Sequence, residues 1–128
     1  VLCIIDVDCS NQEKAADEVC ALIELAMRRA RREVLSTPRL YSSGVKYIRQ
    51  NPEACAFRPP KDVLSRKGGD CKQLVLWRIA ELRELDKEDA KPRIMWLNDK
   101  KGLRAHAQVR RANGDIEDPS LLLGMVAP

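Results

Sequence analysis

GGDCKQLVLWRIAELREL, residues 68–85, sets the architecture of this 128-residue chain. Gly68 and Gly69 read as a flexible turn. Asp70 reads as an N-cap, because its short carboxylate accepts a hydrogen bond from a first-turn N–H that has no partner inside the helix. A helix is expected to begin at or next to Cys71. Leu74, Val75, Ile79 and Leu82 recur at helical spacing, and Leu76 and Leu85 widen the apolar face. A cysteine in the first turn of a buried helix sits where free N–H groups and the helix dipole favour a thiolate. A cysteine nucleophile needs that environment.

Upstream, residues 61–66 read as one helical turn, pinned to the core by Val63 and Leu64. Pro52, Pro59 and Pro60 make 51–60 a loop. In 39–50, Gly44 punctuates a turn and 45–48 reads as a short extended segment. Ser36, Thr37 and Pro38 end a long helix over about 12–35. Ser10 and Glu13 give that helix a capping-box pattern at its start. Its stripe is Ala15, Val19, Leu22, Ala26 and Ala30, widened by Ala16, Cys20, Ile23, Met27 and Val34. Arg28, Arg29, Arg31 and Arg32 lie near its C-terminal end, where they suit the dipole and solvate the outer face. Residues 1–7 read as a buried strand that ends in Asp6 and Asp8, a solvated strand end with too few ligands for a metal.

Downstream, 86–92 is a charged connector and 93–97 a strand, with Ile94 and Trp96 on one side and Met95 and Leu97 on the other. After a turn at 98–102, Leu103, Ala105, Ala107 and Val109 alternate with Arg104, His106, Gln108 and Arg110. His106 therefore falls on the polar side of the strand. Asn113-Gly114 marks a hairpin, and Ile116 and Glu117 begin the return strand that Asp118-Pro119 stops. Residues 120–126 form an apolar tail that packs on the body. Helices followed by antiparallel strands make the class α+β.

Length and composition bound the function. At 128 residues the chain is expected to be one domain, 1–128. The net charge of +4 does not by itself demand nucleic acid. The arginine cluster offers a phosphate or nucleic-acid surface as an alternative, but no aromatics interleave with it and no finger or helix-turn-helix pattern accompanies it. No apolar run approaches a membrane span. The first apolar residues are too few for a signal segment. The chain does not open on methionine and so reads as an excerpt or a processed product. Five cysteines, Cys3, Cys9, Cys20, Cys55 and Cys71, are an odd number without Cys-x-x-Cys spacing, which fits a reducing cytosol better than a disulfide framework. With one histidine, nothing supports a zinc site, and no cofactor is implied.

Three residues join into a chemical constellation. Cys71 opens a helix, His106 lies on the polar face of a strand, and Asp118 ends the strand that a tight hairpin sets beside His106. A cysteine nucleophile needs a base in hydrogen-bond reach, and the base needs a third group to hold its tautomer. Taken singly, each residue also has a plain reading: a structural cysteine, a surface or core histidine, and a turn aspartate. As the chain holds a single histidine, a Cys–His enzyme here must use His106.

The motifs GGDCKQLVLWRIAELREL, LRAHAQV and GDIEDPS together resemble the transglutaminase-like branch of the papain-like cysteine enzymes. The likeness extends to small transglutaminase-like proteins of tailed phages and prophages, which share the Ala-Glu-Leu-Arg segment, the closing Ile-Glu-Asp-Pro-Ser and a Leu-rich tail. It is carried by 59–125, continues with fewer matches over 40–52, and fades over the first strand and long helix. The resemblance implies a papain-like/transglutaminase-like core: a central helix bearing the cysteine, packed on an antiparallel sheet, with an additional long N-terminal helix. It implies that Cys71 is the nucleophile, His106 the base and Asp118 its partner. Lys72 and Gln73 stand where the family often has an acidic pair. Ala107 and Gln108 stand where it has a bulky residue. Lys72 favours a thiolate if it lies near Cys71.

The implied chemistry is attack of the Cys71 sulfur on an amide carbonyl, giving a thioester that water or an amine resolves. The expected function is a peptidase, amidase or transglutaminase acting on a peptide or protein substrate, with hydrolysis preferred in so small a chain. The Cys71 N–H is one oxyanion donor, and Tyr47, Gln50 or an amide within 51–59 are candidates for the second. Trp96 either shields the triad or packs in the core. A different class of function remains open: a non-catalytic phage structural or assembly protein that keeps the fold and docks a phage structural partner through residues 121–125 or the arginine cluster. The resemblance implies the cytoplasm of a bacterial host or a virion as the location.

Overall fold

The computed structural model describes residues 12–49, 57–99 and 102–126. In chain order the elements are helix α1 (Gln12–Glu33), a 3₁₀ turn (Leu40–Ser42), strand β1 (Lys46–Tyr47), helix α2 (Pro60–Arg66), strand β2 (Gly68–Gly69) and helix α3 (Cys71–Glu84). They continue with strands β3 (Lys91–Asp99), β4 (Gly102–Arg110) and β5 (Ile116–Glu117) and helix α4 (Pro119–Leu122). Strands β3, β4 and β5 form an antiparallel sheet in that order, and β1 pairs with β2 in parallel. The class is α+β. The expected strand 1–7, its Asp6 and Asp8, and Ser10 with Cys3, Cys9 and Cys55 lie outside the described residues.

α3 is the centre of the molecule. Leu74, Val75, Leu76, Trp77, Ile79, Ala80 and Leu82 are all buried, so the helix is enclosed on every side rather than along one stripe. α1 and β4 pack on it, with α2, β3 and α4 around its ends. Leu85, expected to widen the apolar face, is exposed at the C-cap. On α1 the buried line is Val19, Ile23, Met27, Ala30 and Val34, a mixture of the two expected stripes, while Leu22 and Ala26 are only partly covered. The arginine cluster largely ties down its own neighbourhood: Arg29 pairs with Glu33 at 2.9 Å and Arg31 with Glu84 of α3 at 2.8 Å. Arg83 returns the tie, bonding Glu24 of α1 at 2.8 Å.

Gly68 and Gly69 do not form a flexible turn. They are the buried strand β2, with Lys46 opposite Gly68 and Tyr47 opposite Gly69. The left-handed residue that reverses the chain is Lys67, with φ 59°. Glycine is required at 68 and 69 by close approach: a side chain at Gly68 would run into Ile48, and a Cβ at Gly69 would lie 3.0 Å from Gln73 Oε1 and 3.2 Å from Val63 Cγ1. Gly69→Ala is therefore expected to destabilise the fold by about 1–3 kcal/mol through overpacking against the first turn of α3. A denaturant midpoint equal to that of the wild type would show that Val63 and Gln73 yield freely.

The sheet carries the other half of the site. β3 and β4 run in unbroken register from Lys91–Arg110 to Asp99–Gly102, with Met95 opposite His106 and Trp96 opposite Ala105. The Asn113-Gly114 hairpin forms as expected. Asn113 Oδ1 accepts the Asp115 N–H at 3.0 Å, and Gly114 takes φ 93°. The tail folds back as well. Leu123 is buried, and its carbonyl accepts the Tyr47 N–H at 2.9 Å, whereas Leu122 and Val126 stay exposed. Among the described residues no helix is long and apolar enough to cross a membrane.

Candidate active site

The first turn of α3 is fixed by a capping box. Asp70 Oδ1 accepts the Gln73 N–H at 3.1 Å, and Gln73 Oε1 accepts the Asp70 N–H at 3.1 Å. Gln73 thus has a structural task in the first turn of α3. Lys72 directs its ammonium to the cap, 3.4 Å from Asp70 Oδ2. Cys71 follows as residue N1, partly exposed and a free thiol. Its N–H is a first-turn amide that points out of the helix. Cys20 is also free and partly buried. Burial raises its thiol pKa, and the charges of Asp17 and Glu24 raise it further.

Cys71 is one of the two side chains, with Asp118, whose bonding and charge act on the His106 imidazole. The His106 Nε2 lies 2.7 Å from Asp118 Oδ2, which leaves Nδ1 as the ring nitrogen for the sulfur. The three residues named from the sequence therefore form one line, from a helix N-terminus through the central strand to the end of β5. The register explains the last link. Val109 pairs with Glu117, so the next pair sets Asp118 opposite Gln108 and diagonal to His106 on the same face.

The setting of His106 is both polar and buried. By strand parity it belongs to the polar set, but it is only 2% exposed, because both faces of β4 are covered here. Burial opposes the imidazolium. The hydrogen bonds and charges of Asp118 and Cys71 outweigh it and raise the His106 pKa to about 9. For Asp118, burial works against the carboxylate, but the bonds from His106 and Gln108 prevail and its pKa is lowered.

Asp118 also caps α4, with Oδ1 accepting the Leu121 N–H at 3.3 Å and Pro119 at the first helical position. One carboxylate oxygen of Asp118 thus serves the turn, and the other faces His106 and Gln108. Sequence reasoning missed Gln108, whose Nε2 donates to Asp118 Oδ2 at 3.1 Å, and Arg93, whose Nη1 donates to Gln108 Oε1 at 2.6 Å. The available signal was the i+2 spacing from His106, which puts Gln108 on the same strand face.

Trp96 pairs with Ala105 and so projects on the face away from His106. The residue opposite the histidine is Met95. Of the candidates for the second oxyanion donor, Tyr47 packs against the core, and Gln50 with residues 51–56 lies outside the described residues.

Behind the triad, β5 is tied to α3 through charges. Arg78 bonds Glu117 at 2.7 Å and Glu81 at 3.0 Å, and Arg111 bonds Glu117 at 2.9 Å and Glu88 at 2.6 Å. The Tyr41 hydroxyl donates to Glu117, and Arg78 lies over the Tyr41 ring, 4.9 Å from its centre. Glu81 is 1% exposed and its second oxygen accepts the Leu40 N–H at 3.1 Å. Among the described residues no group of three or more His, Cys, Asp or Glu is placed to hold a metal. Comparison with protein-family models, with curated proteins and with solved structures finds no match.

Proposed function

We propose that the chain is a cysteine-dependent amide-bond hydrolase or transglutaminase, working through a thioester on Cys71, and that its α+β framework is a transglutaminase-like core of the phage type. The observation that carries this reading is the line from the Cys71 thiol through the buried His106 to Asp118, 2.7 Å from the imidazole. His106, whose raised pKa lets it hold the thiol proton as an imidazolium paired with Asp118, leaves the Cys71 sulfur as the thiolate that attacks the amide carbonyl. The Cys71 N–H, directed out of the first turn, donates to the developing oxyanion. Collapse of the tetrahedral adduct breaks the C–N bond, and the His106 proton leaves with the amine. Water then attacks the thioester, with His106 taking its proton, and returns the thiol and a carboxylic acid. A primary amine in place of water yields a new amide. Hydrolysis is the preferred outcome of the two.

The test combines labelling with turnover. A thiol-directed inactivator at pH 6.5 is expected to modify Cys71 ahead of Cys20, whose thiol pKa is held up by burial and by Asp17 and Glu24. A panel of peptide amides is expected to release amine with the wild type and not with Cys71→Ala, and mass spectrometry should trap the acyl group on the Cys71 peptide. Added primary amine separates the two outcomes by the product formed. A Cys71 inert to inactivators, with no amine released from any substrate, overturns the reading.

A further inference from the structure

We propose that Gln108 is a positioning residue of this site: its side-chain amide, fixed in orientation by Arg93, holds the Asp118 carboxylate against His106. The inference rests on the Cys71–His106–Asp118 reading and extends it to a polar rung that crosses all three strands of the sheet.

The backbone register builds the rung. Arg93 of β3 lies opposite Gln108 of β4, and Gln108 lies opposite Asp118 at the end of β5. Directly opposed residues share a face, so the three side chains stand in a row, one position along from His106 and Met95. The chemistry fixes the direction of the row. A guanidinium has only donors, so the end of the Gln108 amide that meets Arg93 Nη1 at 2.6 Å is the carbonyl oxygen. The NH₂ end must then face Asp118, where it donates to Oδ2 at 3.1 Å. Without Arg93 the amide could present either end.

The carboxylate is thereby held at three points. Oδ2 accepts from His106 and Gln108, and Oδ1 accepts from the Leu121 N–H. Two of these donors, Gln108 of β4 and the Leu121 N–H of α4, fix the plane of the carboxylate apart from the histidine that it orients. Gln108 is 7% exposed, which removes water as a substitute donor. The groups with charge around His106 are Cys71 from α3, Asp118 from the end of β5, and Arg93 one pair along on β3. Second-layer groups of this kind typically change rate by roughly 10–100-fold when removed.

The experiment uses Gln108→Glu, which keeps the size of the side chain and the bond to Arg93 but replaces the donor toward Asp118 by a second carboxylate. The single histidine makes its titration by NMR unambiguous and requires no substrate. The His106 pKa is expected to rise by about one unit, because a further negative charge favours the imidazolium. At pH 7, kcat should fall roughly 10-fold or more, with KM within about twofold of the wild type. Gln108→Met, neutral and similar in bulk, tests the same point should the charged variant not fold. Its loss of the donor should also raise the His106 pKa and lower kcat, and Arg93→Lys should retain more rate than Arg93→Met. An unchanged His106 titration together with an unchanged kcat overturns the proposal. A fall in thermal stability with the His106 titration unmoved overturns it too, because it assigns the rung a structural role only. A shifted titration in a protein whose wild type cleaves no amide supports the positioning role and sinks the amide chemistry instead.

Discussion

Asp118→Ala is expected to lower kcat/KM for amide cleavage by roughly 10³–10⁴-fold while leaving a chain that folds. The carboxylate does three things that alanine does not. It accepts the His106 Nε2–H at 2.7 Å, so that Nδ1 faces the sulfur as the basic nitrogen. It compensates the charge that His106 carries once the thiol proton has moved. It also caps α4 through the Leu121 N–H, a bond whose loss costs about 1 kcal/mol. The histidine itself reports the change. In the wild type, burial opposes the charge and Asp118 with Cys71 reverses it, to give a pKa of about 9. Without Asp118 the burial gains weight, and the pKa should fall by about one to three units. A proton spectrum of the one imidazole across pH 5–10 measures this directly. A variant whose His106 still titrates near 9 would mean that Cys71 alone supports the imidazolium and that Asp118 is only a helix cap.

The same pair sets a pH window for stability. His106 has a folded pKa above its ordinary 6.5, so its contribution is fully present below 6.5 and is lost as the pH rises through about 9. Asp118 has a folded pKa below its ordinary 3.8. Its contribution is present above 3.8 and is lost as the pH falls through the lower, folded value. Between these limits the ion pair is intact. In Asp118→Ala the alkaline loss should shrink along with the His106 shift.

Local chemistry was legible where one residue type has one use. Asp70 as N-cap, Cys71 as the first helical residue, Asn113-Gly114 as a hairpin and Pro119 as a stop all follow from backbone requirements that few other residues meet. The pairing of His106 with Asp118 followed from the hairpin, because a five-residue connection leaves little freedom of register. What failed depended on distant parts of the chain. The parity of β4 gives its polar face, but not what covers that face. The face is buried because Asp118, Arg93 and the start of α3 close over it and supply hydrogen bonds. Gly68 and Gly69 looked like freedom of the backbone, whereas they answer close approach: Gly68 to Ile48, 20 positions upstream, and Gly69 to Val63 and Gln73. Glu81 is a buried polar residue on α3 for the same reason: its partner, the Leu40 amide, lies 41 residues away.

Among substitutions away from the reacting atoms, Arg78→Met is expected to cost the most, about 3 kcal/mol of stability. That sits at the low end for a broken buried pair, because Arg78 keeps 14% of its side chain exposed and Glu117 retains Arg111. Against a total of about 5–15 kcal/mol for a domain it is a large share. Arg78 is the only guanidinium among the described residues that bonds both Glu81 and Glu117. Methionine fills the space but leaves Glu81, 1% exposed, with the Leu40 N–H of the 3₁₀ turn as its hydrogen-bond donor. Burial already raises the Glu81 pKa despite Leu40 and Arg78, and losing Arg78 raises it further. The defect should therefore be largest at neutral pH and should shrink as the pH falls through the raised folded value toward the ordinary 4.5, where the carboxyl takes up a proton in both states. Lysine at this position places one charge where the planar fork served two carboxylates, so Arg78→Lys should fall between the wild type and Arg78→Met. Urea midpoints at pH 7 and pH 5 with an unchanged slope read these differences. Glu117 is the residue before Asp118, so loosening its hold on α3 also loosens the acid of the triad. The folded fraction of Arg78→Met should accordingly show a lower kcat at full substrate saturation. A midpoint within about 0.5 kcal/mol of the wild type at pH 7 would mean that water reaches Glu81 and that β5 is held by its strand pairing and by Arg111 alone.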